Sequence, residues 1–248
     1  MRSMGRHSIS VAAVLCAASV VTAAYEQSML NMKVPSDLNQ YELDFVVQHR
    51  FYGVIGQGSL EDVLDLMGLG AGARVGMGLR FMVLPWLELE SSYVFDDREL
   101  TFGTAVTYNA VRYVDLLGAI LIAASGDGGR SGTLFAQVAA QGRPMFDRLT
   151  PAASLGYDLS SSSLVLSLGL SVEVVEWIRI IAEIHPNVGG SLDENGVIAV
   201  GFIVHTAGHQ FAFLAGNSSG LGQSNLAPSS RSYDSFSLGF NIQRLTSF

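Results

Sequence analysis

Beyond residue 40 the chain alternates apolar and polar positions with a period of two. Tyr41, Leu43, Phe45 and Val47 interleave with Glu42, Asp44, Gln48 and Arg50, and Leu87, Leu89 and Tyr93 with Glu88, Glu90 and Ser92. Leu164, Leu166, Leu168, Leu170, Val172 and Val174 oppose Ser163, Ser167, Ser171 and Glu173. Ile178, Ile180, Ala182 and Ile184 oppose Arg179, Glu183 and His185. A strand sends successive side chains to opposite faces, whereas an amphipathic helix needs apolar repeats at three and four. The pattern predicts twelve strands: 41–52, 71–83, 86–95, 99–108, 111–123, 133–142, 150–159, 163–174, 177–185, 197–205, 209–215 and 235–245. Ala and Gly blur the alternation in the fifth, tenth and eleventh.

The gaps between these strands sort by parity. The long ones, 53–70, 124–132, 186–196 and 216–234, all follow odd strands. Tight turns at Leu84-Pro85, Asn109-Ala110, Val175-Glu176 and Thr206-Ala-Gly208 follow even strands, and Gln141–Thr150 is the longest connection on that side. Antiparallel barrels in outer membranes have an even strand number, short turns at one rim and long loops at the other. The predicted fold is therefore all-β: a single closed antiparallel transmembrane barrel of about twelve strands.

The start of the chain predicts export. Arg2, Arg6 and His7 precede an apolar run from Ile9 to Val21, and Val21-Thr-Ala-Ala24 supplies small residues for cleavage. That run is shorter than the ~20 residues a spanning helix needs. The expected organisation is a signal peptide over 1–24 and the barrel over 25–248, in a bacterial outer membrane with both termini on the periplasmic side. Cys16 is the sole cysteine, so the processed chain has none and no disulfide. The formal charge of −8 becomes −10 without Arg2 and Arg6, which argues against nucleic acid as a partner. Hydrophobic content of 49% with no uninterrupted apolar run of spanning length beyond residue 24 fits apolar surface delivered at alternate positions. The expected partner is outer-membrane lipid. The last strand, Phe236-Ser-Leu-Gly-Phe-Asn-Ile-Gln243, leads to a terminal Phe248 whose parity it shares, with Arg244 and Thr246 interrupting the apolar face.

Several segments resemble the family described as "membrane bound beta barrel domain", a domain of unknown function. They are His49-Arg-Phe51, Asp65-Leu-Met-Gly-Leu69, Gly72-Ala-Arg-Val-Gly-Met-Gly78, His205-Thr-Ala-Gly-His-Gln-Phe211 and Asn217-Ser-Ser219. The resemblance implies an outer-membrane barrel and brings no activity, ligand or catalytic residue with it.

On the polar face of the strands lie nine acids: Glu42, Asp44, Glu88, Glu90, Glu99, Asp115, Asp158, Glu173 and Glu183. Four bases accompany them, Arg50, Arg74, Arg80 and Arg179. Eight strands leave an interior that side chains fill and sixteen leave an aqueous channel. Twelve admit two readings: a narrow pore for small polar solutes whose lining these charges form, or a plugged barrel in which they pair. In the first loop Ser59 predicts a helix cap, with Glu61 and Asp62 in its first turn and Leu60, Val63, Leu64 and Met67 as an apolar stripe. His205 and His209 flank a three-residue turn that would set their imidazoles opposite one another, with Cβ atoms ~5 Å apart. No further ligand lies in that hairpin, so neither a metal nor another cofactor is expected. No glycine-framed serine elbow and no phosphate-cradling loop occurs. A membrane-embedded lipid hydrolase using His185 and a nearby serine is the remaining catalytic reading, and the chain is expected not to be an enzyme.

Overall fold

The structure is a computed structural model that describes residues 29–55, 70, 72–111, 114–125, 133–159, 161–188, 195–218, 220–221 and 235–248. In hydrocarbon no water is available to a strand's N–H and C=O groups, so a sheet that spans a membrane must close on itself. Twelve antiparallel strands do so here. They are β1 (Glu42–Phe51), β2 (Ala73–Leu84), β3 (Leu87–Val94), β4 (Glu99–Val111), β5 (Val114–Ser125) and β6 (Thr133–Gly142). β7 (Leu149–Asp158), β8 (Ser163–Val175), β9 (Ile178–His185), β10 (Val197–Thr206), β11 (His209–Gly216) and β12 (Ser237–Ser247) complete the ring. Each strand pairs with its neighbours in sequence, and β1 closes on β12 from Glu42↔Ser247 to Arg50↔Gly239.

No strand end lies more than three residues from its expected position. The largest difference corrects a turn. β4 runs through Asn109-Ala110 to Val111, which pairs with Val114 after a register irregularity at Tyr108, so the hairpin closes beyond Val111 and not at Asn109-Ala110. The opposite hairpin is also tighter than expected: Thr206 pairs with His209, leaving only Ala207 and Gly208, and Gly208 supplies the positive φ of 87°.

The connections place the start of β1 and the end of β12, with the turns at 85–86, 143–148, 176–177 and 207–208, at one rim, called here the terminal rim. The other connections form the loop rim. Outward-facing side chains are large, apolar and exposed, among them Phe45, Leu79, Phe102, Ile120, Ile180 and Phe202. Trp86 and Trp177, the only two tryptophans, stand in terminal-rim turns and are half exposed. Aromatic side chains concentrate at the edges of the apolar band of such barrels. Arg244 and Thr246 also face outward near this rim, opposite His209 and Leu43. A long cation there reaches the headgroup level while its stem covers apolar surface.

The inner face is buried and largely polar, including Glu42, Asp44, Arg50, Arg80, Gln137, Ser154, Ser171, Glu183 and Asn241. The apolar cluster that accompanies it comes partly from outside the strands. Met29, Leu30, Met32 and Val34 pack with Ile181, Ala199, Ile203 and Leu214. Residues 29–35 thus lie inside the barrel, and 36–38 lead out toward the terminal rim.

Candidate functional site: a lumen holding the N-terminal segment

Leu30, Met32 and Val34 alternate with Asn31 and Lys33, and Pro35 biases Val34 toward extended backbone. Among the described residues the segment has no partner strand, so its main-chain groups need acceptors and donors from the wall. Glu183 of β9 provides the acceptors. Its Oε1 takes the N–H of Leu30 at 2.5 Å, of Asn31 at 3.0 Å and of Met32 at 3.3 Å, and its Oε2 takes Asn31 N and Nδ2. Three successive amides thus converge on one anion, which suits the charge-assisted hydrogen bonds a carboxylate makes.

Other wall residues complete the set. Asn241 Nδ2 donates to the Leu30 carbonyl at 3.0 Å and Gln137 Nε2 to the Lys33 carbonyl at 3.2 Å. Arg50 donates to Asn31 Oδ1 at 2.7 Å and to Asn241 Oδ1 at 2.8 Å, bridging segment and wall. Lys33, the sole lysine in the sequence, lies 3.1 Å from Glu88 and 2.5 Å from Glu90 with its side chain 6% exposed. An unpaired charge in such a place costs several kcal/mol, so this pairing is required wherever Lys33 is buried.

The remaining polar-face candidates fall into local sets. Arg80 donates to Asp44 at 2.7 Å and 3.2 Å, its Nη1 is 3.7 Å from Glu88, and Gln243 also donates to Asp44. Glu42 accepts from Asn39 N and Nδ2 and from Ser247 Oγ, tying the segment's exit to the terminal rim. Arg179 meets Glu173 at 3.3 Å and Arg74 meets Asp97 of the β3–β4 turn at 3.1 Å. Asp115 is 3.7 Å from the half-exposed Arg143. Asp158 accepts from Ser161 N, and Glu99 lines a cavity with Thr101.

Two cavities adjoin the segment. One of about 160 Å³ is bordered by Lys33, Gln48, Arg80, Glu90, Glu99 and Thr101. The other, about 630 Å³, opens near the terminal rim between Asp37, Trp86, Asp115 and Arg143. Residues of the N-terminal segment line both.

His185 Nδ1 is 2.7 Å from Ser167 Oγ, and its Nε2 is 3.4 Å from Glu183 Oε2. A serine, a histidine and an acid therefore stand in line, yet Ser167 is 1% exposed and Glu183 is committed to the segment's amides. Nucleophilic attack needs an open approach to the hydroxyl. What the chain of contacts does here is orient the Glu183 carboxylate.

The two-residue hairpin corrects the expectation for His205 and His209. His205 pairs with Gln210 on the inner face, while His209 shares the outer face with Phe211, its ring stacked at 6.1 Å. Opposite faces of a strand do not share an ion, and no group of three or more His, Cys, Asp or Glu able to hold a metal occurs among the described residues. The helix expected from Ser59 to Met67, and the signal peptide over 1–24, lie outside the described residues.

A closed twelve-stranded barrel, apolar outside and polar within, is an outer-membrane β-barrel of porin-like build. Residues 149–246 match the family described as "membrane bound beta barrel domain". That region holds the His205–Phe211 and Asn217–Ser219 segments of the resemblance; the three earlier segments fall before it. Among solved structures the KdgM porin is similar over 84% of this chain and 99% of its own, at 10% identity and a TM-score of 0.54. A second structure of that porin, in complex with disordered oligogalacturonate, gives a TM-score of 0.55 with the same coverage and identity. The NanC porin matches over 83% of this chain and 99% of its own, at 9% identity and a TM-score of 0.51. At such identities the likeness is one of fold. No curated protein sequence matches the chain.

Proposed function

We propose that the chain is a narrow outer-membrane pore for small polar solutes, closed in this conformation by residues 29–35. The observation behind this reading is the polar inner wall around water-sized space on both sides of the segment. The wall charges Glu42, Asp44, Arg50, Arg74, Arg80, Glu88, Glu90, Asp115, Glu173, Arg179 and Glu183 then set the preference. Acids outnumber bases, so the lumen favours cations and neutral solutes. An oligogalacturonate, as held by the KdgM porin, carries carboxylates that this wall would repel. The termini face the periplasm, and removal of 1–24 leaves the segment four residues inside the mature N-terminus. The role is non-catalytic.

The segment's place in the lumen favours a second reading, a closed structural or surface-interaction barrel. Planar-bilayer recording separates the two, using the full chain and a Lys33→Glu variant that sets a carboxylate against Glu88 and Glu90. The pore reading expects rare small steps from the first and larger, cation-preferring steps from the second. Silence from both, with each folded, supports the closed barrel.

A further inference from the structure

The wall engages the N-terminal segment mostly through its main chain. Glu183 accepts three consecutive amides, Asn241 and Gln137 donate to two carbonyls, and Glu88 with Glu90 takes the one cation. Residues 30–32 are bent, which is what lets successive N–H groups form a concavity for one anion, and contacts to main-chain groups hold a peptide whatever its side chains. One apolar contact with the wall is close. A Cβ on Gly169 of β8 would lie 2.7 Å from Met29 Sδ and 3.0 Å from Met32 Cε.

The acidic end offers more than its occupant uses. Ser36 of the segment also reaches the Glu88 carboxylate and Arg80 Nη1 stands 3.7 Å from its Oε2, while Glu90 Oε1 is buried and accepts no hydrogen bond among the described residues. An ammonium has three donors and a guanidinium five. The carboxylate pair therefore has acceptors left for a basic side chain of either type.

The geometry points to the lumen wall as a binding site for a short peptide that bends where three successive amides meet Glu183 and carries a lysine or arginine directly after that bend. Residues 29–34 are its resident occupant. This deepens the pore reading by naming a solute class, and it rests on that reading for passage, though not for binding.

The test uses full-length protein and a fluorescein-labelled synthetic peptide carrying residues 29–38. In Lys33→Glu protein the wall is intact and its own segment is repelled. Fluorescence anisotropy is expected to show the peptide binding this variant about tenfold or more tighter than the unsubstituted chain, the scale set by charge-assisted contacts. Arginine at the peptide's lysine position keeps the affinity; glutamine there, or Glu183→Gln added to the protein, loses it. Equal affinity for both proteins, or indifference to the peptide's lysine, overturns the proposal. If Lys33→Glu does not fold, the unsubstituted chain serves. Excess peptide should speed acylation of Lys33 in the protein, and no acceleration at saturating peptide overturns the proposal equally. Bilayer recording of the same samples keeps the two claims apart. Peptide binding without conductance rejects the pore alone, and conductance without peptide binding rejects the peptide site alone.

Discussion

The Glu183 carboxylate on β9 accepts the backbone N–H of Leu30 at 2.5 Å, across 153 positions of sequence. With Asn31 and Met32 on the same group, this contact fixes the N-terminal segment inside the barrel. Glu183→Gln keeps the shape but replaces an anion facing three amides with a neutral group, one end of which is itself a donor. Hydrogen bonds to charged groups contribute about 1.5–3 kcal/mol each. Amide exchange at residues 30–32 is expected to quicken by roughly tenfold or more, on that scale, while the β-ladder amides stay protected. Unchanged exchange at 30–32 counts against the assignment.

Gly169→Val tests the same contact without changing charge. The added side chain meets Met29 and Met32, whose flexible ends must move. Overpacking of this kind costs about 1–3 kcal/mol. The segment is expected to loosen, raising exchange at 30–32 as Glu183→Gln does, while the heat-modifiable gel mobility of a folded barrel is kept. Loss of the folded band would instead make Gly169 a requirement of the wall.

Much of this was legible in the sequence, and the failures are instructive. Parity alone assigns Glu88, Glu183 and Arg179 to the polar face, because one buried face repeats strictly every two residues. An irregularity after Tyr108 breaks that repeat, so alternation alone ends β4 too early. A connection one residue longer would set His205 and His209 face to face; the two-residue turn puts them on opposite faces, because one residue exchanges the faces of a strand. The N-terminal segment carried a signal, the alternation of Leu30, Met32 and Val34 ahead of Pro35. Nothing local says that so short a run lies inside a barrel; its partners are Glu183, Asn241 and Glu88, all distant in sequence. The lone lysine was the clue, since a single cation of that type amid nine polar-face acids has obvious places to go.

At the loop rim Tyr52 donates to Asp96. Burial first, then that hydrogen bond and the carboxylate's charge, raise its phenol above the usual 10.0. A folded-state value above the unfolded one means stabilisation present below pH 10 that is lost as pH rises through the higher, folded value. Spectrophotometric titration should show one late-ionising phenol that Tyr52→Phe removes. A titration curve in which Tyr52→Phe deletes an ordinary phenol contradicts the contact.

Orientation is open to direct labelling. The processed chain is expected to begin at Ala24 or Tyr25 by mass spectrometry, without its only cysteine. Phe146, 91% exposed at the terminal rim, and Leu159, 50% exposed at the loop rim, then accept single cysteines. A membrane-impermeant thiol reagent on intact cells is expected to label Leu159→Cys and spare Phe146→Cys. The reverse pattern inverts the topology.

The measurement closest to the central claim uses Lys33, the only lysine in the sequence. An amine-reactive acylating reagent is applied to the folded full-length barrel in detergent, and modification of that residue is followed by mass spectrometry against the denatured chain. Held between Glu88 and Glu90 inside the lumen, Lys33 should react at least ~100-fold more slowly in the folded barrel, the scale of an ion pair that costs several kcal/mol to break. Reaction at the rate of the denatured chain would mean that the N-terminal segment does not occupy the lumen.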